Sequence, residues 1–405
     1  MGSNPRFHKK AAEYPRISQN ILDTGVADGR ITERDRALIR EFVTGVGAER
    51  SLTPSRRYKL TTILLGARRF IGPYTELTIA DLHEGIERIQ SATKDDGTPF
   101  FKRNTVADYI RFVKRFVLWL IENGYSSMPE KKVRAIRSPA YDTMTKTVAD
   151  LLTEEEIRAM IKAAKTPKDQ ALIALLYEGG FRIGELANLT WGEMIFTDWN
   201  LQVNTNEKTG KPRYIPLVLS RPYMAAWRNA YPGDPTGNSF VFVTNIRHEP
   251  IQYQGVVKQL RIIAKNAGVT KHITPHVFRH SRITHLIQQG MNESTIKLMM
   301  WGNIGTEMFR TYAHLCNADI DRSVAELSGI VVPGCAERTN ALVPIQCTRC
   351  RYVNRPGARF CDTCGLELTL DAAADKQTAE ERIRSDPRFK AWMEAAMKIA
   401  PDYIH

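Results

Sequence analysis

A chain of 405 residues, 43% of them hydrophobic, can bury more than one core, which excludes a wholly disordered protein. Its 57 Lys and Arg against 44 Asp and Glu leave a formal charge of +13, which puts nucleic acid first among partner classes and argues against an acidic surface adapted to very high salt. No apolar run approaches the roughly 20 residues that span a bilayer, and the start MGSNPRFHKK lacks the apolar core of a signal peptide, so a cytoplasmic protein with no membrane partner is expected.

Residues 1–20 are polar and are expected to form a mobile tail. Residues 21–145 read as a helical domain. In NTVADYIRFVKRFVLWLIENGY, Val106, Ile110, Val113, Val117 and Leu120 recur at helical spacing between a cap at Asn104 and a stop at Gly124. Arg111, Lys114 and Arg115 lie off that stripe, beside Lys102 and Arg103. An earlier segment, TPSRRYKLTTILLGARRF, surrounds an apolar centre with Arg56, Arg57, Arg68 and Arg69. These cations are either a solvated face or phosphate-tracking helices that clamp a duplex. Residues 129–147, with Pro129, Pro139, Lys131 and Lys132, read as a basic linker.

A second domain is expected over 146–335, starting at a capping box of Thr153 and Glu156. Helices over 168–178 and 182–190 flank Gly179, Gly180 and Phe181, which sets Arg182 at a helix start where its charge and free N–H groups can face an anion. Glu185 could hold that guanidinium or form an ordinary helical ion pair. The alternating segments EMIFTDWNLQVNTNEKTGKPRYIPLV and SFVFVTN suggest a small antiparallel sheet with Lys208 at a hairpin tip. After a helix over 251–267, Thr274, Pro275 and Gly290 bound a helix over 275–289, on which His276, Arg279 and His280 share a face suited to phosphate. A zinc pair of His276 and His280 is the competing reading, but the helix lacks the glutamate of HExxH and places Arg279 beside the cation.

The motifs GFRIGELANLTW, EKTGKPRYIPL, TPHVFRHS and TEMFRTYAHL, in this order behind a basic helical domain, resemble the tyrosine recombinase, or phage-type integrase, family. The likeness covers about residues 21–328. LMMWGN, YAHLCNADIDR and the appended cysteines look most like archaeal provirus-type members. The resemblance implies that Arg182 and Arg279 clamp the scissile phosphate, Tyr312 attacks it to form a 3′-phosphotyrosyl link, Lys208 protonates the departing 5′ oxygen and His276 assists proton transfer. Glu185 and His280 match supporting positions. Where the family commonly has His or Trp nine residues before the tyrosine, this chain has Asn303, whose amide can donate a hydrogen bond but cannot titrate; Trp301 offers an indole N–H nearby. No metal is needed for such chemistry, because two arginines stabilise the transition state. The partners implied are double-stranded DNA and three further copies in a homotetramer, with no small-molecule substrate.

Four of six cysteines form Cys347-x2-Cys350-x10-Cys361-x2-Cys364, the pattern of a zinc ribbon over 336–371 with a structural Zn²⁺. A redox CxxC is the competing reading, and a second pair at ribbon spacing speaks against it. In a helical segment over 372–405, Asp386 and Pro387 start a helix to about 399 with Phe389, Trp392, Met393, Ala396 and Met397 on one stripe. The expected fold is thus mainly α with a small antiparallel sheet: a helical DNA-clamp domain, an α+β catalytic domain and a zinc ribbon. The expected activity is site-specific strand breakage and rejoining for a mobile element or provirus. A type IB-like topoisomerase and a non-catalytic DNA-binding regulator are the alternatives.

Overall fold

The structure, a computed structural model, describes residues 12–142, 148–205, 212–309, 312 and 341–399. The chain divides into two compact units, Met1–Thr145 and Lys146–His405.

The first unit is helical: α1 (Glu13–Ala27), α2 (Glu33–Glu49), α3 (Pro54–Ala67), α4 (Ile79–Ser91), α5 (Arg103–Glu122) and the short α6 (Glu130–Ala135). Capping boxes at Thr32 with Asp35 and Thr78 with Asp81 start α2 and α4 by satisfying N–H groups that have no partner within the helix. All five apolar stripe residues of α5 are buried, with Phe42, Leu64, Tyr74 and Phe116 in the same core. Burial at this level stabilises by about 2 kcal/mol per large side chain.

Three expectations are corrected here. Helix begins at Glu13, inside the stretch expected as a tail, because Leu22 and Gly25 of α1 are buried and Tyr14 packs on Tyr58 with ring centroids 5.6 Å apart. Asn104 does not cap α5, which starts after Lys102; its amide instead exchanges hydrogen bonds with the backbone of Asp142. The basic linker is helical over α6, whose last carbonyls accept from the Lys114 ammonium at 2.6 Å (Arg134) and 2.7 Å (Ile136).

The second unit is built on α8 (Pro167–Glu178), whose residues from Ala171 to Glu178 are all buried, as expected of a central helix. Around it pack α7 (Glu154–Ala163), started by the expected capping box, α10 (Ser220–Asn229) and α12 (Pro275–Gln288). The short α9 (Ile183–Asn188) follows α8, while α11 (Tyr253–Asn266) and α13 (Glu293–Trp301) precede and follow α12. Pro275 occupies the first turn of α12 as expected, but Thr274 makes no side-chain cap bond.

Strands β1 (Met194–Phe196), β2 (Leu201–Thr205) and β3 (Arg213–Leu217) form an antiparallel sheet in that order, with Met194 opposite Val203 and Val203 opposite Ile215. SFVFVTN does not join this sheet: Phe240 bridges Thr190 and Val243 bridges Pro250 outside the named strands. The Trp227 indole N–H takes the Val241 carbonyl at 2.9 Å.

A two-stranded ribbon, β4 (Ile345–Gln346) with β5 (Val353–Asn354), precedes α14 (Leu370–Ser385) and α15 (Pro387–Ile399). α14, a polar helix with one buried residue, Ala372, occupies the first part of the helical segment expected over 372–405. No helix among the described residues is long and apolar enough to cross a membrane.

Candidate active site

α8 ends at Gly179 and the chain turns through Gly180, whose φ of 52° is left-handed. A Cβ there would lie 2.8 Å from Met300 Sδ and 3.7 Å from Arg279 Cγ, so glycine permits both the turn and the approach of α12. The turn delivers Arg182 to the start of α9, where its N–H donates to Glu185 Oε2 at 2.8 Å and its Nη1 to Oε1 at 2.7 Å. The Arg182 side chain is 40% exposed while Glu185 is buried. One face of the guanidinium is therefore held and the rest remains accessible to an anion.

Arg279 differs. On the inner face of α12, it is buried and donates through Nη1 to the Gly180 carbonyl and through Nη2 to the Met300 carbonyl at 2.6 Å. Burial, followed by the charges of Arg213 and Arg182, pushes its pKa down to about 9. That value lies above neutral pH, so the guanidinium stays charged.

Arg213 joins these parts and is not among the residues expected from sequence. It donates to the Met299 and Met300 carbonyls at 2.8 and 3.0 Å, and its Nη2 pairs with Glu185 Oε2. Glu185 thus sits between two arginines, and the Met300 carbonyl accepts from both Arg213 and Arg279. The available signal is strand phase: Arg213 alternates with Ile215 and Leu217 on the buried face of β3.

Tyr312 is buried, with its ring 5.3 Å from His280 and 6.1 Å from Trp301. Burial raises its hydroxyl pKa, and Arg279 and Arg182 act in the opposite direction. His276 stands 6.3 Å from His280 between ring centroids and is held below the ordinary histidine value by burial, then by Arg279 and Arg182. Trp301 lies under the Arg279 guanidinium at 5.4 Å. Asn303 lies beyond Gly302, which ends α13 with φ 65°, and its Oδ1 accepts the Gly305 N–H at 3.2 Å. Arg182, Glu185, His276, Arg279, His280, Trp301 and Tyr312 thus belong to one neighbourhood. Lys208 lies outside the described residues.

In the first unit, Arg50, Arg111, Lys114, Arg115, Arg134 and Arg137 line a cleft of about 940 Å³. Arg56, Arg69, Lys102, Arg103, Lys131 and Lys132 are exposed. Arg57 and Arg68, expected at a phosphate backbone, are engaged by the fold. Arg57 donates to the Leu52 and Gly47 carbonyls, and Arg68 pairs with buried Asp35 at 2.8 Å. Both arginines complete polar groups that burial would otherwise leave unsatisfied.

The four cysteines converge, each offering a sulfur within 4.8 Å of the others. Cys347 and Cys364 sulfurs are 3.6 Å apart and those of Cys350 and Cys361 are 3.5 Å apart. A tetrahedron with Zn–S near 2.3 Å has edges of about 3.8 Å, so an all-thiolate zinc site fits.

The chain is similar in sequence and fold to known proteins. The phage integrase family model matches residues 150–318. The chain is 28% identical over 224 residues to tyrosine recombinase XerD of Listeria innocua, covering 52% of this chain and 71% of that protein. It is 25% identical over 227 residues to tyrosine recombinase XerC of Staphylococcus epidermidis, covering 54% and 73%. The lambda integrase structure, residues 75–356 bound to DNA, shares the fold with a TM-score of 0.52 at 14% identity, over 69% of this chain and 96% of that one.

Proposed function

We infer from the match of residues 150–318 to the phage integrase family model and from the likeness to XerD and XerC that the chain is a tyrosine recombinase, and from that premise we propose that it breaks and rejoins DNA at specific sites, with Tyr312 as nucleophile. The observation that carries the assignment of the nucleophile is a buried tyrosine within the electrostatic reach of both Arg279 and Arg182.

A tyrosine hydroxyl with an ordinary pKa near 10 attacks poorly at neutral pH unless a base and positive charge lower the cost of ionising it. Burial of Tyr312 increases that cost in the free protein, and a bound phosphate held by the arginines positions the acceptor for the charge. Arg182, with its accessible guanidinium, and Arg279 donate to the non-bridging oxygens and stabilise the five-coordinate transition state. His276, held neutral by its surroundings, accepts the Tyr312 proton. The Tyr312 oxygen bonds to phosphorus as the bond to the 5′ oxygen breaks, and Lys208 protonates the departing oxygen. Retaining the phosphoryl group on Tyr312 conserves the bond for rejoining when a 5′ hydroxyl attacks. Trp301 and His280 hold the tyrosine ring, and Asn303 shapes the following turn or donates to phosphate.

Arg50, Arg111, Arg115 and Arg137 of the first unit's cleft and its exposed lysines and arginines track the duplex backbone. Cys347, Cys350, Cys361 and Cys364 hold one structural Zn²⁺, which supplies folding energy to a module with little core of its own. Four copies act in the cytoplasm on two duplexes, for integration or excision of a mobile element.

A nicked duplex carrying the element's junction, whose cleaved fragment diffuses away, tests the chemistry. Wild type should accumulate a covalent protein–DNA adduct and Tyr312→Phe should bind equally well without one. Tight binding with no adduct in wild type would leave a DNA-binding regulator instead.

A further inference from the structure

The ribbon carries Arg349, Arg351, Arg355 and Arg359, which invites a DNA-reading role, yet acidic partners already face two of the four. Arg355 pairs with Asp362 at 3.4 Å, and Arg359 pairs with Asp371 at 2.9 Å and with Asp375, both on α14. Glu367, within the field of Arg349, is paired with Lys376. A module that tracks phosphates leaves its cations available for them.

The other face of the ribbon meets its own catalytic unit. β5 packs on α10, and the Arg221 guanidinium of α10 lies over the Tyr352 ring at 5.1 Å. Arg221 also donates to the Thr197 carbonyl at 2.9 Å, which fixes it to the end of β1. Tyr223, buried on α10, lies in the field of Arg355 and of Arg158 on α7, and Arg158 Nη2 comes within 4.0 Å of the place a Cβ on Gly357 would occupy. α10 of the catalytic unit therefore packs on the ribbon, and Arg158 of α7 lies near it. α10 in turn begins on Glu178, whose carboxylate accepts the N–H groups of Val218, Leu219 and Ser220 at 2.7, 2.9 and 2.7 Å. Glu178 is the last residue of α8, four residues before Arg182.

We propose that the four-cysteine ribbon is an internal strap that docks on α10 of its own catalytic unit through Tyr352, and is not a DNA-reading finger. A cation over an aromatic face contributes about 0.5–2 kcal/mol depending on desolvation. The strap deepens the zinc reading and rests on it for the fold of the ribbon alone.

Hydrogen exchange on the full-length protein, with bound zinc measured on the same samples, tests the contact. Tyr352→Ala and Arg221→Ala should each accelerate exchange of the α10 amides several-fold while zinc is retained, and Tyr352→Phe should restore protection. Salt dependence of affinity for a random-sequence duplex should be unchanged in Arg349→Ala with Arg351→Ala. Unaltered α10 exchange in both contact variants would overturn the strap. A salt slope flatter by about 0.9 for each cation removed would instead make the ribbon a phosphate-binding module. If the protein binds no zinc while α10 still responds to Tyr352→Ala, the zinc reading fails and the strap stands.

Discussion

At the scale of single residues, Glu185 determines how positive charge is distributed around the candidate active site. It accepts from the exposed Arg182 and the buried Arg213, so one carboxylate fixes an arginine that remains accessible to solvent and another that does not. Removing one partner of a buried pair costs about 3–5 kcal/mol. Arg213→Met should lower unfolding stability toward the low end of that range, read by urea denaturation, because Arg182 remains to share the carboxylate. His285 supplies a pH signature. Its Nδ1 lies 2.9 Å from the Tyr177 hydroxyl, and burial, then Arg282 and Lys271 against the opposing Glu155, hold its pKa down to about 4. The unfolded chain takes up this proton near pH 6.5, whereas the folded protein does so near 4. The stability contribution is therefore complete above pH 6.5 and is lost as pH falls toward 4, by up to about 1.4 kcal/mol per pH unit. Unfolding free energies measured between pH 7 and 4 should slope less in His285→Gln. For His276 the depressed value should place the acid limb of the cleavage rate below the ordinary histidine range, and a limb above pH 6.5 would contradict its role as base.

At the scale of elements, the site depends on the close approach of α8, α12 and α13. Gly180 is where they meet, and Gly180→Ala adds a left-handed backbone cost of about 1–2 kcal/mol to the contact with Met300 Sδ. Thermal denaturation should show a lower midpoint, and adduct formation should fall more than DNA affinity, since the turn places Arg182 and leaves the cleft of the first unit untouched. Helix boundaries around this point are legible in the sequence because proline, glycine and capping pairs act locally. The bounds of α8, α11, α12 and α15 lie within about two residues of those expected. SFVFVTN misleads because β-branched alternation reports a half-buried extended segment, and not which neighbour will pair with it. Asn104 misleads as a cap for a related reason: its partner Asp142 is distant in sequence.

Across the whole molecule, charge and metal define the remaining tests. Lys131→Ala with Lys132→Ala should flatten the salt dependence of duplex binding by about 0.9 for each phosphate no longer neutralised, and an unchanged slope would make these lysines a solvated face. Full-length protein should carry about one zinc per chain, and a strong chelator should unfold the ribbon; a ribbon that keeps its structure without metal would refute that site. The order of motifs, the helical periodicity and the cysteine spacing determined the family resemblance, most of the helices and the four-cysteine cluster, because each is written in residues near one another along the chain. Tertiary structure decided which cations remain available: Arg57 and Arg68 satisfy the fold, Arg213 is buried behind Glu185, and the ribbon's Arg355 and Arg359 are paired. It also brought Trp301 beside Arg279 and Tyr312 while Asn303 entered a turn. An arginine has the same charge in any sequence, but its availability to phosphate depends on partners that only folding brings within a few ångströms.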